Sequence, residues 1–160
     1  MYKLILYLLL SAFILEMFAL QTDEEIAMNT LFYGKHALNR AVHAAVLQSD
    51  LSKLSRGIHA IDSVKAEAAA LQYLQRNLRL DTDNQPLPDT FLKEQVHILE
   101  FTVINEDHVF PYTYENAKYD YTATLYRPGV VMIIELSYPR TYGILSPITW
   151  QIKGTAEIVI

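Results

Sequence analysis

The chain is predicted to fold as an α+β protein in which an N-terminal transmembrane helix extends into a long helix, a second helix follows, and a four-stranded antiparallel sheet completes the domain. Three observations lead there. The apolar run Leu4–Leu20 passes without a proline into the helical pattern of residues 22–50. A second helical pattern lies between a capping Asp62 or Ser63 and the prolines Pro86 and Pro88. From Gln95 onward the period of the apolar residues changes from helical to alternating, as in strands.

At about 1.5 Å per residue the run LILYLLLSAFILEMFAL reaches roughly 25 Å, the short end of what crosses a hydrocarbon core. Lys3 precedes it, and Asp23, Glu24 and Glu25 follow it. The positive-inside bias therefore places the amino terminus in the cytoplasm and the main domain outside a cell membrane crossed once. A cleaved secretory signal is the competing reading. Against it, Glu16 interrupts the apolar region, and the best small-residue site, ending at Ala19, carries bulky Met17. Residues 1–21 are accordingly assigned as an anchor and 22–160 as one extracytoplasmic domain, with helices over 22–50 and 63–79 and the sheet over 95–160. Glu16 is the one acidic or basic group in the run, and a carboxylate at the centre of a spanning helix costs about 2.5–3.5 kcal/mol. Either it lies about 6 Å from the outer end and reaches the headgroups, or it meets a cation on a neighbouring subunit when helices bundle.

A chain of 160 residues leaves enough outside the membrane for one domain with a real core. A net charge of −5, with the 13 Lys and Arg scattered along the chain, speaks against a nucleic-acid partner. The absence of cysteine rules out a disulfide, a thiol nucleophile and a thiolate metal site. His36 and His43 share a helix face but stand two turns apart, about 10 Å, too far for one metal ion. His59, His97 and His108 occupy unrelated contexts, and DTDN at Asp81 lacks the glycine and distal glutamate of a calcium loop. No cofactor or metal is expected. No serine, histidine or aspartate sits in a nucleophile-elbow or similar motif, so no enzymatic activity is expected either.

In the long helix, Leu31, Leu38, Val42 and Ala45 recur at helical spacing. Thr22 and Asp23 are the one place where a cap could separate anchor from helix, and Gly34 is a point of possible bending. Ala37, Ala41 and Ala45 form a ridge of small residues that either admits another subunit's helix or packs in the chain's own core. Lys35, His36, Arg40 and His43 make a solvated basic band. The second helix runs to about Arg79, with Val64, Ala68, Leu71, Leu74 and Leu78 as its apolar stripe.

Four candidate strands follow: VHILEFTVI, YDYTATLY, VVMIIELSY and ITWQIKGTAEIVI. The second and third are expected to form a hairpin across Arg127-Pro128-Gly129, with Gly129 at positive φ. In the last strand Ile148, Trp150, Ile152, Ala156 and Ile158 face one way, toward the helices. The connection NEDHVFPYTYENAK carries Phe110, Tyr112 and Tyr114, and PRTYGILSP carries Tyr142. These four are candidate surface contacts for a glycan or another subunit, or ordinary sheet aromatics.

The order of parts resembles pilin-like proteins, and more narrowly the TadE-like minor pilins of tight-adherence pili. The resemblance is carried by an apolar amino terminus with Glu16-Met17-Phe18, the Ala-rich helix YGKHALNRAVHAAVLQSD, and the closing strands IIELSYP and ITWQIKGTAEIVI. In that family the Glu stands fifth after prepilin peptidase cleavage and is thought to pair with a neighbour's free amino terminus. Carried over, cleavage would follow Ser11, leaving Ala12 first and Glu16 fifth. Position 11 is Ser where the family has Gly or Ala, and cleavage would leave about nine apolar residues, too few to span. An uncleaved anchor is therefore expected. The resemblance implies a non-enzymatic minor or priming subunit of a pilus or related secretion apparatus. Its partners would be other membrane subunits, in a homo- or hetero-oligomer, and the lipid bilayer. Glu16, Ala37, Ala41 and Ala45 are the candidate assembly residues. The alternative is a membrane-tethered extracytoplasmic module that binds a glycan or cell-wall ligand.

Overall fold

A computed structural model describes residues 2–140 and 146–159. The expected anchor and the helix after it are one element, α1, Tyr2–Val46, of 45 residues, about 70 Å long. No cap forms at Thr22 and Asp23. The Thr22 hydroxyl donates to the Phe18 carbonyl at 2.9 Å, a bond made inside a helix, and Asp23 is buried with an interaction partner of its own. Gly34 is a packing glycine: a Cβ there would fall 2.6 Å from Ile152 Cδ1 and closer still to Leu136 Cδ1.

Helix α1 ends at Val46, short of the expected Asp50, because the next residues have other partners. Ser49 bridges to Ile61, and Asp50 accepts the Ser52 and Lys53 amides as the N-cap of the short helix α2, Leu51–Leu54. Gly57, at φ 77, turns the chain. Asp62 then caps α3, Ser63–Leu78, by accepting from the Lys65 amide at 3.1 Å, and Arg79 closes it in the left-handed conformation.

The stripe of α3 is phased differently from the expectation. Ala66, Ala70, Leu74 and Leu78 are buried, whereas Val64 and Ala68 are exposed. The alanines join Ala37, Ala41 and Ala45 of α1 in one core cluster. Small residues on both helices permit close approach, which turns the i, i+4 row of α3 inward and leaves Val64 outside.

The expected single four-stranded sheet is replaced by two sheets. The strands are β1 (His97–Ile104), β2 (Tyr112–Asn116), β3 (Tyr121–Leu125), β4 (Gly129–Tyr138) and β5 (Ile148–Glu157). An antiparallel sheet of order β1-β4-β5 carries the core, and β2-β3 forms a separate antiparallel pair. The hairpin expected across Arg127-Pro128-Gly129 is absent: β3 pairs back with β2, placing Tyr114 opposite Ala123. Gly129 is not at positive φ. It serves a close approach, since a Cβ there would meet the Ala156 carbonyl oxygen at 2.5 Å.

The reason lies in β4, which is buried without interruption from Gly129 to Ile134. Val130, Met132, Ile134 and Leu136 enter the core with α1 and α3. On the other face Val131 packs with Ile104, Tyr114 and Leu125. A strand apolar on both faces needs a cover on each, and β2-β3 supplies the second. The result is three layers: helices, main sheet, hairpin. The hairpin is tied down by Tyr121 Oη to Thr155 Oγ1 at 2.6 Å and by Lys153 Nζ donating to the Asp120 carbonyl at 3.0 Å. In β5, Ile152, Gly154 and Ala156 point to the core, and Gly154 seats Leu38 of α1.

Candidate functional site

Every side chain from Tyr2 to Phe18 is exposed, and from Asp23 upward one face of the same helix is buried. The lower part of α1 is thus a bare apolar stalk and the upper part the spine of the head. Among the described residues α1 is the one helix long and apolar enough to cross a membrane, and its most apolar window has no buried residue. Leu, Ala, Met and Phe favour a helix here, and the Ser11 hydroxyl donates back to the Leu8 carbonyl at 2.9 Å, which hides its polarity.

Glu16 projects from this stalk. At 100° per residue it lies on the face of Asp23, Thr30, Gly34 and Ala41, seven or fewer residues apart at each step. That face is buried from Asp23 to Ala41, so Glu16 continues down the bare stalk the line along which the head is attached above it. The three-and-four spacing of Ala12, Glu16, Ala19, Asp23, Ala27, Thr30 and Gly34 is visible in the sequence. Its significance emerges only once the upper half is seen buried.

The other candidate assembly residues lie in the buried upper part of the helix. Ala37, Ala41 and Ala45 are within the chain's own core, covered by α3 and the sheet. The candidate surface aromatics also turn inward: Tyr114 is buried, and Phe110 and Tyr112 pack half-buried against the same small cluster beneath β2-β3. The ring of His108 meets Tyr112 edge-on at 4.4 Å between centroids. Tyr142 lies outside the described residues. The exposed tyrosine of this region is Tyr126.

Where stalk meets head there is a groove of about 370 Å³, with Leu20, Glu24, Ala27 and Met28 on the helix side and Arg140, Ile148 and Trp150 on the sheet side. A second groove, of about 240 Å³, lies between α1 and α3 at His36, Arg40 and Asn77. There Arg40 Nη1 donates to Asn77 Oδ1 at 2.7 Å, so part of the basic band fastens α1 to α3. Among the described residues no three His, Asp or Glu side chains gather closely enough to hold a metal ion.

Two of the perturbed charged groups belong to a cap and a tie. The Asp62 carboxyl is held below its ordinary value, chiefly by the Lys65 side chain and then by the Lys65 amide. Glu106 is held low chiefly by the Lys53 ammonium, which joins α2 to the turn after β1. Both are structural arrangements at the surface. Comparison with known proteins returns no matching family model, no matching curated protein and no matching solved structure.

Proposed function

We propose that the chain is a single-pass membrane subunit whose first helix is at once anchor and spine, and that it assembles through its stalk with other membrane subunits as a minor or priming component of a pilus-like or secretion apparatus. The observation that carries this reading is the division of α1 into an exposed apolar lower part and a buried upper part with no break between them. A soluble protein would leave this large apolar surface facing water, against the hydrophobic effect. Lys3 below the run and Glu24 and Glu25 above it support an outward-facing head. A carboxylate within the apolar run supports a neighbour in the membrane, because a charge there is most readily accommodated by a partner group. A tethered glycan-binding module would need an exposed aromatic platform, and the burial of Tyr114 weighs against one.

The test is co-purification of the full chain from membranes in mild detergent, as wild type and as Glu16→Gln. Membrane proteins that accompany the wild type and are lost from the variant support assembly through Glu16. An unchanged set of partners would overturn that role, and recovery of the wild type in the soluble fraction would overturn the anchor.

A further inference from the structure

The packing of β5 on α1 fixes how far the head stands from the membrane. Leu38 seats on Gly154, and Ile152 fills the space over Gly34. From Gly154 to Ile152 the strand descends about 6.6 Å, and from Leu38 to Gly34 the helix descends about 6 Å, so the two elements step downward together. Two and four residues further down β5 come Trp150 and Ile148. Both line the groove at the foot of the head, opposite Ala27 and Leu20 and beside Arg140 at the end of β4.

Leu20 ends the apolar run. Leu20 to Ala27 is about 10 Å of helix, slightly more than the polar layer of about 5–8 Å on each side of a hydrocarbon core, so the groove begins at that layer and rises to its outer edge. The residues of the foot suit that layer. Indole and guanidinium groups favour the boundary between hydrocarbon and water; the Trp150 ring is half-buried here, its Nε1 covered by the chain, and Leu20 and Met28, on the helix wall, keep 46% and 38% of their surface exposed beside it. Glu24 lines the same groove as Arg140, so the foot carries both signs of charge and matches zwitterionic rather than anionic headgroups.

We propose that the foot of the head, formed by Arg140, Ile148 and Trp150, is a lipid-contact surface that rests in the outer headgroup layer of the bilayer crossed by α1. This rests on the anchor reading above and adds a second point of contact, made by the sheet. The head is then held against the membrane instead of standing clear of it.

Trp150 is the sole tryptophan of the chain, which makes it a built-in reporter. The full chain is reconstituted into phosphatidylcholine vesicles whose acyl chains carry bromine either near the carbonyl end or near the methyl end, and flotation of the same sample reports anchoring independently. The expected result is a large loss of Trp150 emission with shallow bromine, a much smaller loss with deep bromine, and weak quenching by aqueous iodide. Vesicles that float with the chain while Trp150 is untouched by either brominated lipid would overturn the contact, whatever iodide does, and leave the anchor standing. A chain that does not float with the vesicles would overturn the anchor reading, and this inference with it.

Discussion

The side-chain amide of Asn105 closes both backbone hydrogen bonds of Ile61: Oδ1 accepts from the Ile61 amide at 2.8 Å and Nδ2 donates to the Ile61 carbonyl at 2.9 Å. Asn105 follows β1 directly, and Ile61 is a core residue between α2 and α3. One side chain thus pins the helical layer to the sheet. Asn105→Ala leaves a donor and an acceptor at a core residue without partners, at a cost of about 1–3 kcal/mol. Asn105→Asp keeps the acceptor, loses the donor and sets a carboxylate against a carbonyl, so it too is destabilising. Denaturant unfolding of the full chain in detergent, followed by Trp150 fluorescence, measures both. Wild-type midpoints would refute the role.

Gly34 offers a second check of the layer contact. Gly34→Val drives two methyl groups into Leu136 and Ile152 and is expected to cost about 1–3 kcal/mol by overpacking. Gly34→Ala meets only the movable ends of those side chains and gains about 0.8–1.0 kcal/mol of helix propensity, so its net effect is much smaller. Wild-type midpoints for both variants would show that the helix does not press on the sheet at this point.

The Lys53–Glu106 pair sets a pH window. Glu106 is held below its ordinary value of 4.5 and Lys53 above its ordinary value of 10.5, each chiefly by the hydrogen bond to the other. On the acid side the contribution is complete above pH 4.5 and is lost as pH falls through the depressed value of Glu106. On the alkaline side it is complete below pH 10.5 and is lost as pH rises through the raised value of Lys53. Both side chains are about a third exposed, 34% each, so screening keeps the effect on global stability small and salt-sensitive. A carboxyl NMR titration should place Glu106 below 4.5, and Lys53→Met should return it toward that value.

For the stalk, Glu16→Leu removes a carboxylate whose insertion at the bilayer centre costs about 2.5–3.5 kcal/mol, less toward the interface. The variant is expected to resist carbonate extraction from membranes better than the wild type. Leu9→Arg adds a charge near the middle of the run and is expected to shift the chain toward the soluble fraction. Identical extraction of all three forms would show that the run is not in lipid.

Much of the helical layer was legible in the sequence. Asp62 has the chemistry of an N-cap and acts as one, and the chain leaves α3 at Arg79 as the prolines downstream require. The phase of α3 was not legible, because Val64 outranks Ala66 in hydrophobicity while close approach of two helices selects the smaller residue. The sequence points to a single layer of sheet because Arg127-Pro128-Gly129 has the composition of a tight turn and Tyr112–Asn116 follows a proline within a loop-like stretch. The contrary sign was present: Val130 to Ile134 shows no alternation, which marks a strand covered on both faces. At the candidate site Glu16 was visible as an anomaly in the apolar run. The groove at Trp150 was not, since it depends on how far down the helix β5 reaches.

Because α1 passes Thr22 and Asp23 without a joint, stalk and head share one continuous helix. On the anchor reading proposed above, a tilt or twist of the stalk would be passed along the helix to the sheet packed on its upper half, with no loop between them to absorb it. Such a part suits an assembly in which orientation must be passed from inside a membrane to its surface.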